Sequence, residues 1–147
     1  MKKLHMNEEF KDRRPIAFAT MCADPIHHGH INLLKLAKNY GTVVVGLMTD
    51  ESIKSYKNPP LSTFEERLIV VNEIRLVSFV IPVTSQSHSI SIVEEYQFEF
   101  FVHGDDWKEG VQSKSRDKLL EIMPAWGGKV IDAPYTKGVS STELKLN

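Results

Sequence analysis

Ile16-Ala-Phe-Ala-Thr-Met21 is followed by Cys22-Ala-Asp-Pro-Ile-His-His-Gly-His30 and then by Ile31-Asn-Leu-Leu-Lys-Leu-Ala-Lys-Asn39. The first run is short and apolar and reads as a buried strand. The last carries Leu33, Leu34 and Ala37 on one face and meets Gly41 just past its end, so it reads as a helix. Thr42 to Met48 is apolar on both faces, as strands of a parallel sheet usually are. A strand, a helix and a second such strand form the repeating unit of a parallel α/β sheet.

Working outward, the alternation continues. Ser52 to Leu61 is polar, contains Pro59-Pro60 and reads as a loop. Ser62-Thr-Phe-Glu65 is expected to be a capping box opening a helix whose apolar side carries Val70, Val71, Ile74 and Val77. Phe79–Val83 reads as a third strand, Ile90–Tyr96 as a helix and Phe98–Val102 as a fourth strand. Lys114–Ala125 reads as a helix ended by Gly127-Gly128, Lys129–Asp132 as a fifth strand, and Ser140–Glu143 as a capping box opening a last helix. Five strands alternating with helices predict a doubly wound parallel sheet, which binds ligands beyond the carboxyl ends of its strands where the strand order reverses. His27, Lys57, Asp105 and Ser140 all follow predicted strands, so one edge can gather them.

Composition narrows the functional classes. The 147 residues suit a single domain with a real core, and 18 Lys and Arg against 19 Asp and Glu leave a net charge of −1. Such a balance gives no global basic character for nucleic-acid binding. A single cysteine, Cys22, excludes an intramolecular disulfide and fits a reducing cytoplasm. No apolar run approaches the ~18 residues of a membrane span. Residues 1–14 are polar and mixed in charge and are expected to be a flexible segment ahead of a domain at 15–147.

Four clusters carry chemistry. In His27-His28-Gly29-His30, two imidazoles three residues apart can face one pocket at a helix start. Its unpaired N–H groups favour anions there, and Gly29 lets a substrate approach the backbone. The plain alternative is a capping turn with surface histidines. Lys54, Lys57 and Arg67 read either as a solvated charged loop or as a cationic loop closing over phosphates. His103-Gly104-Asp105-Asp106-Trp107 either holds a base, a ribose or a metal-bound water, or is a polar turn with Trp107 covering the core. Tyr135-Thr-Lys137-Gly138-Val-Ser140-Ser141-Thr142 either cradles phosphate oxygens or caps a helix, and the two are compatible.

In this order the clusters resemble the cytidylyltransferases of the HxGH nucleotidyltransferase superfamily, which includes glycerol-3-phosphate, ethanolamine-phosphate and choline-phosphate enzymes and relatives acting on phosphonates. HxGH alone is shared with adenylyltransferases and aminoacyl-tRNA synthetases. Lys57-Asn-Pro-Pro-Leu-Ser-Thr-Phe-Glu-Glu-Arg67, His103 to Trp107 and Gly138 to Thr142 narrow it. The likeness runs from about Ile16 to Leu144. It departs at Met21-Cys22-Ala23, where the family has a glycine-aromatic lead, and at Tyr135 and Lys137, where the family has Arg and Glu. The form of the 103–112 and 135–138 segments looks most like the phosphonate-associated branch.

The resemblance implies a Rossmann-like domain in which His27 and His30 contact CTP phosphates and stabilise the transition state. Asp24 would shape that loop and contribute to a metal site. Lys57 would bind the α-phosphate and the incoming phosphate, Arg67 would organise the acceptor side, and Gly104 to Trp107 would lie along cytosine and ribose. Gly138, Ser140, Ser141 and Thr142 would bind the β- and γ-phosphates. The implied reaction transfers CMP to a phosphonate such as 2-aminoethylphosphonate or phosphonopyruvate, or to glycerol 3-phosphate or ethanolamine phosphate, with pyrophosphate released. Mg²⁺ is the implied cofactor, held by few protein ligands, no catalytic base is needed, and a homodimer is implied. Alternatives are an adenylyltransferase and a non-catalytic nucleotide-binding module. Loops 85–91 and 108–118 are the candidate acceptor contacts.

Overall fold

The computed structural model describes residues 10–110, 112–134 and 141–146. Five strands, β1 (Ile16–Met21), β2 (Thr42–Met48), β3 (Phe79–Val83), β4 (Phe100–Gly104) and β5 (Lys129–Ala133), form one parallel sheet in the order β3-β2-β1-β4-β5. β1 is the switch point: its register with β2 runs from Ile16↔Thr42 to Met21↔Leu47, and β4 lies on its other side with Ala17 opposite Phe100. The expected doubly wound α/β architecture is the one observed.

Side chains alternate along each strand, and here both sheet faces are buried. Phe18 and Val44 join Ile92, Val93, Leu119 and Met123 on one face. Ala17, Val43 and Val45 join Leu34, Ala37 and Val71 on the other. Helices α1 (His28–Tyr40) and α3 (Phe64–Asn72) cover the second face, and α4 (Gln86–Tyr96) and α5 (Ser113–Ile122) the first. Short α2 (Asp50–Lys54) follows β2, and α6 (Ser141–Leu146) follows β5. Gly46 lets the first layer close: a Cβ there would lie 2.6 Å from the Phe18 ring and 2.8 Å from a Val83 methyl.

Several boundaries differ from expectation. α1 begins at His28, within the HxGH motif, because His27 serves as N-cap. Imidazole is not among the usual capping groups, which hides this start. Residues 50–54 are helical, which takes the first three residues of the expected 52–61 loop, because Thr49 Oγ1 accepts the Ser52 N–H and Ile53 is fully buried. The box opening α3 sits one residue later than expected: Thr63 Oγ1 accepts from Glu66 N, and Glu66 Oε1 accepts from Thr63 N. The Ser62 N–H is taken by Asp24 instead. The helix ends at Asn72, so of the four apolar residues expected on it only Val70 and Val71 belong to it; Val70 is 51% exposed, Val71 is buried, and Ile74 and Val77 pack on the core from the segment after the helix. α4 starts at Gln86, capped by Ser85. β4 runs two residues later than expected, with Phe98 packed in the core before it, and the expected Lys114–Ala125 helix ends at Ile122 and tightens into a 3₁₀ turn over Met123–Trp126.

The expectation of a flexible segment up to Arg14 is corrected over residues 10–14. Phe10 is fully buried, edge-on to the rings of Phe79, Tyr96 and Phe98, and Arg14 pairs with Glu99. Residues 1–9 lie outside the described residues, as does Ser140 of the last expected capping box. Among the described residues no helix is long and apolar enough to cross a membrane.

Candidate active site

A cleft of about 690 Å³ opens at the carboxyl edge of the sheet. Every strand end contributes: Met21 closes β1, Cys22, His27, Gly29 and His30 follow it, Tyr56 and Lys57 follow β2, and Gln86 follows β3. His103, Gly104 and Asp106 close β4 or follow it, Ala133 and Pro134 belong to the end of β5, and Ser141 opens α6. The parallel topology sends every carboxyl end the same way, so residues as far apart in sequence as Thr20 and Ser141 share one wall.

The two motif histidines are locked by the start of α1. His27 Nδ1 accepts the Gly29 N–H at 3.1 Å, and His30 Nδ1 accepts the His27 N–H at 3.1 Å. The rings lie 4.0 Å apart. A ring nitrogen that accepts a backbone N–H carries no proton, so in each neutral ring the proton sits on Nε2. Burial, then the neighbouring His27 and Lys57, pulls the His30 pKa down to about 4, and burial followed by His28 lowers that of His27. At neutral pH the pair therefore presents two uncharged Nε2–H donors. The positive charge on this part of the wall comes from Lys57, whose ammonium lies 5.5 Å from the Tyr56 ring centroid.

The residues around this pair hold it still. Arg67 is 1% exposed, with four of its five N–H donors engaged: Nε donates to Ser62 O at 3.1 Å, one terminal nitrogen to Cys22 O at 2.8 Å and Met48 O at 2.7 Å, and the other to Asp50 Oδ1 at 2.7 Å. It is buried off the cleft wall, and its organising work is to bind the loops after β1 and β2 together. Asp24, 2% exposed, accepts from Leu61 N at 2.9 Å and Ser62 N at 3.0 Å, and pairs with Lys145 at 2.6 Å. Those partners engage both carboxylate oxygens away from the cleft wall, so the part the geometry gives Asp24 is to shape the loop. Ala23 beside it is buried at φ 55, a left-handed turn that a non-glycine residue rarely adopts. Among the described residues no three His, Cys, Asp or Glu side chains gather as a metal site.

The block after β4 divides. His103 and Asp106 reach the cleft, whereas Trp107 does not: it is 3% exposed and stacks 4.2 Å beneath His103 at 12°. Its Nε1–H donates to Asp132 Oδ1 at 2.6 Å, and Arg116 grips the same carboxylate at 2.8 and 3.0 Å. The guanidinium holds Asp132 down to about 2. His103 Nδ1 lies 3.0 Å from Gly104 O, which makes it the N–H and leaves Nε2 as an acceptor. Burial lowers its pKa too. Asp105 and the exposed Lys54 lie off the wall, as do Ala23, Asp24 and Arg67.

Ser141 lines the cleft and donates from Oγ to Pro25 O at 2.9 Å. Tyr135, Lys137, Gly138 and Ser140 lie outside the described residues, and so does the side chain of Thr142. The sequence reading omitted Tyr56, whose hydroxyl lies 3.1 Å from Cys22 Sγ, although it adjoins Lys57. Burial and then Cys22 raise its pKa. Thr20, Asn32, Leu33, Leu36 and Met48 on the wall were also missed, while Gln86 and Gln112 fall within the two loops named for the acceptor.

A family model described as cytidylyltransferase-like matches residues 19–147. The chain is 34% identical over 134 residues to glycerol-3-phosphate cytidylyltransferase of Bacillus spizizenii, covering 90% of this chain and 95% of that one. It is 36% identical over 124 residues to ethanolamine-phosphate cytidylyltransferase of Mus musculus, covering 84% of this chain but only 30% of the longer relative. In fold it resembles a lipopolysaccharide core biosynthesis protein of Thermoplasma volcanium, with a TM-score of 0.66, 23% identity, and coverage of 84% of this chain and 98% of the other.

Proposed function

Because the chain belongs to the cytidylyltransferase-like family, we propose that it transfers CMP from CTP to a small phosphate ester, with glycerol 3-phosphate the leading acceptor and ethanolamine phosphate the next. The observation that carries this reading is the pair of neutral Nε2–H donors of His27 and His30 beside Lys57 on the cleft wall. The coverage of the glycerol-3-phosphate relative along nearly its whole length favours the first acceptor. The relatives named above act, by their names, on phosphate esters, so the phosphonate preference of the sequence reading has no support from them.

In the proposed reaction an acceptor phosphate oxygen attacks the α-phosphorus of CTP in line. The bond from that phosphorus to the bridging oxygen breaks, and pyrophosphate leaves with the electron pair. The acceptor is already anionic near neutral pH, so no side chain need remove a proton. His27 and His30 donate to the α-phosphate oxygens as charge moves onto them, and fixed donors cost no reorganisation at that moment. Lys57 draws the incoming phosphate against the α-phosphate, and positioning supplies much of the remaining rate. Gly138, Ser140, Ser141 and Thr142 serve the β- and γ-phosphates. Gly104 and Asp106 flank the nucleoside above a floor of His103 on Trp107. Mg²⁺ would arrive with CTP as the Mg·CTP substrate, and Asp106, a carboxylate on the cleft wall, would be placed to meet it. The reading also takes the working form to be a homodimer in a reducing cytoplasm.

The test is CTP-dependent pyrophosphate release with Mg²⁺ across glycerol 3-phosphate, ethanolamine phosphate, choline phosphate, 2-aminoethylphosphonate and phosphonopyruvate. Release with glycerol 3-phosphate is expected. Release with ATP but not with CTP, or no release with either nucleotide, would refute the reading.

A further inference from the structure

One cation near the cleft, Lys145, has no role assigned so far. Lys145, on α6, places Nζ 2.6 Å from Asp24 Oδ2, with the two side chains 24% and 3% exposed. Asp24 also accepts the backbone N–H groups of Leu61 and Ser62. Its carboxylate is thus a junction of the turn after β1, the segment before α3 and helix α6. A second bond ties the same two pieces: Ser141 Oγ donates to Pro25 O. Ser141 stands on the cleft wall, and Lys145 sits one helical turn further along α6.

We propose that Lys145 is a positioning residue: by pairing with Asp24 it seats α6 against the loop that follows β1 and so keeps Ser141 on the cleft wall. The two ends of the pair are not equivalent. Without Asp24, two backbone N–H groups and a half-buried ammonium lose their acceptor together. Without Lys145, the carboxylate keeps both N–H donors, so the loop retains its shape while α6 loses its anchor. Truncating Lys145 therefore separates docking of α6 from folding of the domain. The kinetic consequence rests on the transfer reading above, whereas the docking consequence does not.

The experiment measures hydrogen exchange in the peptide covering 141–146, together with steady-state kinetics. The proteins compared are the full-length wild type, Lys145→Met, Lys145→Arg, Asp24→Asn, and Asp24→Asn combined with Lys145→Met. Exchange in that peptide should rise on the order of tenfold in Lys145→Met and return toward wild type in Lys145→Arg. The KM for CTP should rise on the order of tenfold with kcat changed far less. Adding Lys145→Met to Asp24→Asn should change neither readout further, since the lysine acts through that carboxylate. Unchanged exchange would overturn the proposal. So would a lower melting temperature with unchanged KM, or a further rise in KM in the double variant. If wild type releases no pyrophosphate from CTP, the transfer reading fails, and the exchange arm still decides whether Lys145 docks α6.

Discussion

The loop after β1 and the turn after β4 look alike in sequence: each follows an apolar strand, and each packs imidazole, glycine and carboxylate into a few residues. They fold to opposite ends. After β1 the chain turns its carboxylate, Asp24, into the backbone and its imidazoles, His27 and His30, onto the cleft. After β4 the carboxylate Asp106 faces the cleft while the largest side chain, Trp107, goes under the site and is fixed there by Asp132. A short motif is thus a mixture of surface and support. Which residue takes which part depends on which polar group finds a buried partner.

The largest effect that bears on this contrast is on the support side. Trp107→Ala removes a buried ring and should cost about 3–5 kcal/mol of stability. The melting temperature should fall on the order of 10 °C, read by calorimetry, while turnover measured well below that midpoint stays within a few-fold of wild type. A collapse of turnover in a still-folded variant would put Trp107 on the reacting side and dissolve the contrast.

The counterpart is His30→Ala, expected to lower kcat on the order of 10² with a modest loss of stability, because a transition-state donor goes and only one capping bond goes with it. Unchanged kcat would remove His30 from its role. Smaller still, Asp106→Asn should shift the KM for Mg·CTP several-fold where Asp105→Asn is silent, since only the first carboxylate reaches the cleft. Equal effects from the two would mean that the turn is read wrongly.

The smallest effect is a pH slope. The His30 pKa is about 4 in the folded protein against an ordinary 6.5. Between those values the unfolded chain binds a proton that the folded site refuses, so stability falls as pH drops from 6.5 toward 4 and is level above. Burial depresses His27 and His103 in the same sense. Asp132 titrates between 3.8 and about 2, so its loss comes at lower pH. The midpoint of urea unfolding should be lower at pH 5 than at pH 7, and His30→Gln should shrink that difference. An unchanged difference would mean that the imidazole is not buried as described.

Much of the architecture was legible because periodicity is local. Seven residues of β2 or the four of HxGH announce themselves within a few positions. The start of α1 was misread for the same reason, since the capping group is the motif's own histidine. The short helix at 50–54 was missed because five residues carry little periodic signal against a polar background. Phe10 was assigned to a loose leader because a single aromatic in a polar stretch does not reveal the Phe79, Tyr96 and Phe98 rings that receive it.

The sequence by itself determined the alternation of strand and helix, the parallel sheet and its carboxyl edge, and the chemical kinds gathered there: imidazole, ammonium, carboxylate and hydroxyl. Tertiary structure alone decided which of them face the cleft. Arg67 reads as a phosphate ligand in its own helix, yet its guanidinium is buried and donates to carbonyls that lie 45 and 19 positions away. Asp24 reads as part of a metal site, yet its carboxylate is buried and held by N–H groups 37 and 38 positions away and by Lys145 on α6. A buried charge must be satisfied by whatever the fold brings to it. Those partners are distant in the chain, so no local window of sequence contains them.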